Sequence, residues 1–191
     1  LTDPDPLVRA AGRDFIGAIV DFAGGFGAPA IIGSMQGRHG DGVSREQALE
    51  WLRAELNQLG PRAHAHGVPL LYEPLNRYET NLFNTLSEAA AFLETLKTRN
   101  VKLLADLFHM NIEETDLAEA IRINGKWIGH VHFADSNRRA IGLGHTQISP
   151  VAEALIDVGY DGYVSGEIFP WPDAETAATK TLESFRKFFP R

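Results

Sequence analysis

Glu73, Asp106, His132 and Glu167 are the residues of this 191-residue chain whose types and spacing could do chemistry. They lie 33, 26 and 35 residues apart, each gap about the length of one strand–helix unit. Glu73 closes the apolar run "PLLYE" and Asp106 closes "VKLLAD"; His132 stands near the end of "IGHVHFAD", and Glu167 ends the strand in "GYVSGEIF". One acid at a strand end is ordinarily a solvated group or a helix cap. Four polar residues in register on successive strands call for a shared explanation. Carboxylates that converge in a partly dry site repel one another, so either protons stay on or a cation sits among them. A single divalent ion resolves this. Oxygen ligands with one imidazole suit Mn2+ or Mg2+, and Co2+, Fe2+ or Zn2+ also fit such a set.

The elements that must position these residues alternate strictly. "PDPLVRAAGRDFIGAIVDFAGGFGA" reads as a helix with Leu7, Ala11, Phe15, Ile19 and Phe22 at helical spacing and a glycine stop. The strand "PAIIGS" follows, then a helix opened by a Ser44–Gln47 capping box, with Leu49, Leu52, Leu56 and Leu59 on one face. After the strand "PLLYE" comes a helix begun at Thr85 and Glu88. The strand "VKLLAD" leads to a helix capped by Asp116, and "IGHVHFAD" to one capped by Ser149 with Pro150 at its first position. "GYVSGEIF" is the last strand, and the last helix starts at Asp173. One helix followed by five strand–helix units predicts an α/β fold with a parallel sheet and helical crossovers. The strands are short and almost wholly apolar, as expected when both faces are covered. Their C-terminal ends then share one rim, and in a curled sheet that rim is where active sites form.

Composition narrows the function. The length predicts one domain over residues 1–191, and a net charge of −7 disfavours nucleic acid as a partner. The chain has no cysteine, so it has neither a disulfide framework nor thiolate chemistry, which is consistent with a cytoplasmic location. No apolar run approaches the ~18 residues of a membrane span, so no membrane association is expected. His130 and His132 flank Val131 and point to one face, with His130 read as a supporting or core histidine. His39, His64, His66 and His145 read as solvated. The "GLG" turn at Gly142–Gly144 reads as a tight loop in preference to a phosphate cradle.

The stretches "EPLNRYETN", "ADLFHMNIEE", "GHVHFADSNR" and "GYVSGEIF" resemble the sugar isomerase/epimerase superfamily of xylose isomerase-like barrels, and within it the D-tagatose 3-epimerase/D-psicose 3-epimerase group. The likeness runs along essentially the whole chain, in the family's order. It implies a (β/α)8 TIM barrel, here truncated to the last five units plus a preceding helix, with three earlier strands expected before Leu1. It further implies metal ligation by Glu73, Asp106, His132 and Glu167, with Mn2+ the leading ion. Glu73 and Glu167 become the catalytic pair, and Glu79, His109 and Arg138 the substrate-binding residues.

The implied reaction is epimerisation of a ketose at C3. An aldose–ketose isomerase or an inosose-type dehydratase on the same scaffold is the nearest alternative, and a non-catalytic sugar-binding remnant a more distant one. A DNA-repair endonuclease of this barrel type would want more histidine ligands and a basic face. The resemblance also implies a homo-oligomer. Two departures bear on the substrate: His132 is followed by Ala134 and Asp135, and the glycine loop reads "IGLGH".

Overall fold

A computed structural model describes residues 1–189. Helix α1 (Pro6–Gly24) leads into β1 (Ile31–Ile32), a 3-10 turn at Ser34–Gln36, and α2 (Arg45–Ala65). β2 (Leu70–Tyr72) and α3 (Leu86–Glu94) follow, then β3 (Val101–Asp106), α4 (Leu107–Glu113) and α5 (Leu117–Asn124). The chain continues through β4 (Ile128–His132), α6 (Ile148–Asp157), β5 (Val164–Ser165) and α7 (Ala174–Phe188). The strands pair in the order β1-β2-β3-β4-β5, every pair parallel. This is the expected sheet: each strand returns to its neighbour through a helix, as parallel pairing requires.

Strand periodicity divides the buried residues between the two faces. Leu70, Tyr72, Leu103, Ala105 and Val131 belong to the main core with Leu52, Leu56, Leu86, Leu93, Ile121 and Leu155 of the helices. Alternate positions face the other way. Leu71 and Leu104 are also fully buried, and Glu73, Asp106, His130 and His132 share their side of the strands. Asp106 lies directly beside His132 in the β3–β4 register.

Caps follow the expected chemistry at most helix starts. Ser44 Oγ accepts from Gln47 N at 3.2 Å, Thr85 from Glu88 N at 3.3 Å, Asp116 from Glu119 N at 2.9 Å and Asp173 from Thr176 N at 2.8 Å. Each satisfies an amide that the helix itself leaves unpaired.

Four local expectations are corrected. The α1 stripe at Leu7, Ala11, Phe15, Ile19 and Phe22 faces outward, and Ile16, Gly17 and Val20 are buried instead. Gly17 has no Cβ where Arg62 of α2 crosses, so this face permits the closer approach. α6 begins at Ile148 with Gln147 at the cap position and no side-chain cap, so Ser149 and Pro150 lie within the first turn. α4, which sequence periodicity did not announce, starts directly from the end of β3. β5 is only Val164–Ser165, so Glu167 lies two residues past its end.

Candidate metal centre

The four strand-end residues meet. One ligand atom from each of Glu73, Asp106, His132 and Glu167 lies within 4.8 Å of all the others. His132 Nδ1 is the hub, 3.2 Å from Asp106 Oδ2 and 3.6 Å from both Glu73 Oε1 and Glu167 Oε2. Glu73, Asp106 and His132 are buried, whereas the Glu167 side chain is 49% exposed. The site is therefore walled on three sides and open on the fourth.

Each residue of the cluster has local support. Asp106 does two jobs: Oδ1 caps α4 by accepting from Phe108 N at 2.7 Å, which leaves Oδ2 turned toward His132. Glu73 N continues the ladder to Ile32 O at 3.0 Å, so its backbone is placed by β1 although the strand proper ends at Tyr72. Gln36, wholly buried in the turn after β1, donates Nε2 to Glu73 O at 2.9 Å and to Gly33 O at 3.0 Å, and accepts from the Tyr72 hydroxyl. Gly33 leaves the space in which the Glu73 carboxylate lies: a Cβ there would stand 2.9 Å from Oε2. His130 Nε2 pairs with Ser165 Oγ at 2.8 Å, which makes it a satisfied neighbour of His132.

The electrostatics match a cation site. Burial pushes Glu73 above the ordinary carboxylate range. Burial pushes Asp106 the same way, but hydrogen bonding to His132 and the charges of His109 and His132 outweigh it and hold Asp106 low. Burial disfavours a charged His132, yet its hydrogen bond to Asp106 and the facing Glu73 carboxylate raise it to about 9. A proton on His132 thus balances the acids, occupying the role a metal ion would fill.

One atom tests whether the group suits an ion. Glu73 Oε1 is buried and has no hydrogen-bond partner, although it faces His132 Nδ1 and lies 3.9 Å from His109 Nε2. A buried carboxylate oxygen without a partner is costly. Together with the convergent oxygens and one imidazole, it fits a hard divalent cation.

The three other expected residues surround this cluster. His109 is buried, and its Nδ1 accepts from Asn76 N at 3.2 Å, which leaves the ring proton on Nε2, directed to Glu73. Asn76 Nδ2 lies 2.8 Å from the same Nδ1 and donates to Glu79 Oε1 at 3.0 Å. Arg138 bonds Glu167 Oε2 through Nη2, and its Nη1 lies 3.9 Å from Glu79 Oε1. Its guanidinium sits 5.0 Å above the Phe108 ring centroid. Glu79, His109 and Arg138 therefore form a polar wall beside the cluster, on the side where Glu167 is open to solvent. Gly33, Gln36, Asn76 and Asp135 also matter here, and sequence reasoning did not pick them out as site residues.

The model of the family described as "Xylose isomerase-like TIM barrel" matches residues 1–188. The chain belongs to that family. It is 34% identical over 171 residues to an L-ribulose 3-epimerase of Mesorhizobium japonicum, covering 88% of this chain and 58% of the relative. It is 34% identical over 173 residues to a D-psicose 3-epimerase of Agrobacterium fabrum, covering 88% and 60%. The crystal structure of a D-allulose 3-epimerase from Methylomonas sp. superposes with a TM-score of 0.90 at 28% identity, over 98% of this chain and 73% of that one. This member of the family thus spans about 60% of the length of the first two relatives.

Proposed function

We propose that this chain carries the metal and catalytic groups of a divalent-metal-dependent ketose 3-epimerase. The observation that carries the reading is the meeting of Glu73, Asp106, His132 and Glu167 within 4.8 Å, with Glu73 Oε1 buried and unpartnered. Epimerase relatives at 34% identity support the reaction class. The ligands would be Glu73, Asp106, His132 and Glu167, with Mn2+ the preferred ion. When bound, the ion would polarise a substrate carbonyl and the neighbouring hydroxyl.

Epimerisation takes a proton from one face of a carbon and returns one to the other. Glu73 and Glu167 are the pair for this, because they approach the cluster from β2 and β5, the second and the last strands of the sheet. One carboxylate accepts the C3 proton, and the C–H electron pair moves toward the carbonyl oxygen. The opposite carboxylic acid delivers its proton to the other face as the C–H bond re-forms. The roles exchange with the direction of reaction. Glu79, His109 and Arg138 would bind sugar hydroxyls, with His109 offering its Nε2 proton and Arg138 its fixed fork of donors. The half-open cluster leaves the exposed Glu167 side for substrate entry.

The test is to incubate the chain with Mn2+ and D-psicose, then L-ribulose, in deuterated water. The expected result is deuterium at C3 and interconversion of the C3 epimers. Bound Mn2+ without exchange at C3 would point instead to a non-catalytic sugar-binding protein. Exchange at C1 or C2 would point to an aldose–ketose isomerase.

A further inference from the structure

Beyond the ligand cluster, one buried carboxylate is used by none of the chemistry above. Asp135 is 1% exposed, and it points away from the metal centre into the loop that follows β4. Its Oδ1 accepts from Ser136 N at 2.7 Å and Thr146 N at 3.0 Å; its Oδ2 accepts from Gly142 N at 2.8 Å and Gly144 N at 3.0 Å. Burial would push this acid up, and those backbone donors outweigh it and hold it low. The glycine turn is an anion nest, and the anion in it is the chain's own.

The loop so gathered contains Arg138. Arg138 has φ +57, a left-handed conformation that a side chain rarely adopts unless its surroundings impose it. The surroundings are on view. Arg138 N donates to Asp135 O at 2.8 Å, Asp135 N to Arg139 O at 2.9 Å, and Phe169 N to Arg138 O at 2.7 Å. Asn137 Nδ2 ties the loop across to Leu143 O at 2.7 Å, and His145 N donates to Ser136 Oγ at 3.0 Å. Asp135 is the member of this set that joins both ends of the loop through one side chain.

We infer that Asp135 is a positioning residue for Arg138: by closing loop 135–146 on its carboxylate, it holds the Arg138 backbone in the left-handed turn that carries the guanidinium over Glu167. The inference assigns a role to the departure at Ala134–Asp135. The acid does not read the substrate; it sets the residue that would. The part about substrate rests on the epimerase reading, whereas the part about Arg138 does not.

The experiment follows the arginine Nε–H signals of the 15N-labelled chain by NMR, with Arg138 assigned by its absence in Arg138→Ala. Asp135→Asn keeps the shape but turns an amide donor onto two backbone donors. The expected result is movement of the Arg138 signal to the position of solvated arginines. The signals of Arg62 and Arg77, paired with Asp21 and Glu113, should stay in place and report an intact fold. Gly144→Ala is the second variant. Its Cβ would collide with the Asp135 carboxylate and the Ser136 hydroxyl, which dislodges Asp135 without changing it. It should give the same loss even if Asp135→Asn does not fold.

With Mn2+ and D-psicose, kcat/KM should fall roughly 10- to 100-fold in Asp135→Asn. The same change added to Arg138→Ala should cost almost nothing more, since a residue acting through Arg138 has nothing left to act on. An unmoved Arg138 signal in the folded variants, or additive losses in the double variant, overturns the inference. A parent chain with no epimerase activity overturns the proposed function and leaves the NMR result to decide the role of Asp135.

Discussion

Gly33→Ala should weaken metal binding in a chain that still folds. Gly33 follows β1 with φ −98 and ψ −111, outside the α and β regions open to residues with a Cβ, so alanine also carries a backbone cost of about 1–3 kcal/mol. Its new Cβ would stand 2.9 Å from Glu73 Oε2. That is about 0.5 Å inside an ordinary carbon–oxygen contact. The atom it meets is the free end of a side chain, so the carboxylate will move. Metal ligands tolerate roughly 0.2 Å before a site degrades. A carboxylate pushed by about 0.5 Å is comparable to the loss of an outer hydrogen-bond partner, which costs about 10- to 100-fold in metal affinity. That range corresponds to about 1.4–2.7 kcal/mol. Folding should weaken by that backbone cost, about 1–3 kcal/mol, or about 2–12 °C in Tm for a chain of this size. The assay is titration with Mn2+, reading free ion by electron paramagnetic resonance, beside thermal melts in EDTA. A variant that is folded at the assay temperature and binds Mn2+ within about threefold of the parent would refute the placement of Glu73 in the centre, because ~3-fold is far below the outer-partner range.

Glu167→Gln should abolish turnover, measured as C3 epimer formation; activity within about tenfold of the parent would remove Glu167 from the acid/base pair, since general acid–base groups contribute about 100-fold or more. Tyr72→Phe leaves the buried Gln36 Oε1 without its donor, a loss of about 1–3 kcal/mol that thermal melting should show as a fall of about 2–10 °C. pH dependence follows from His132, whose ordinary value of 6.5 is raised to about 9. Its contribution to the metal-free chain is complete below 6.5 and lost as pH rises through about 9, so Tm in EDTA should fall across that window. A Tm that does not fall across the window would count against a proton held there. Mn2+ binding should displace the same proton, so calorimetry in buffers of different ionisation enthalpy should show proton release near neutral pH.

The sheet and its order were legible because a parallel sheet leaves a coarse signal: short apolar runs, each followed by a helix-length stretch of 3.6 periodicity. The errors have local causes. α1 has apolar residues at Leu7, Phe15, Ile19 and Phe22 as well as at Ile16 and Val20, so periodicity announced a helix without choosing its face. The choice came from Gly17, whose missing side chain admits Arg62, a fact about the neighbour and not about the helix. α4 was hidden because Asp106 is at once the last residue of β3 and the cap of the next helix, with no turn residues between.

The four residues of the cluster were legible for a reason their supports do not share. A residue that ends a strand is marked by the run before it, and four such marks at similar intervals imply one rim. Gln36, Asn76 and Asp135 act on the site through hydrogen bonds that no spacing rule announces. Gln36 reaches Glu73 O across 37 residues, and Asn76 reaches His109 across 33. Asp135 was visible only as a departure from a pattern, and so it read as a change of substrate. Its surroundings argue otherwise, and they also show what occupies the glycine turn. The glycine-loop amides that could have cradled a phosphate, those of Gly142 and Gly144, already point at the Asp135 carboxylate. A phosphate arriving there would have to displace a buried carboxylate or sit beside it, like charge against like charge. The glycine turn is thus already filled by an anion of the chain itself, held by the same four bonds that close the loop carrying Arg138.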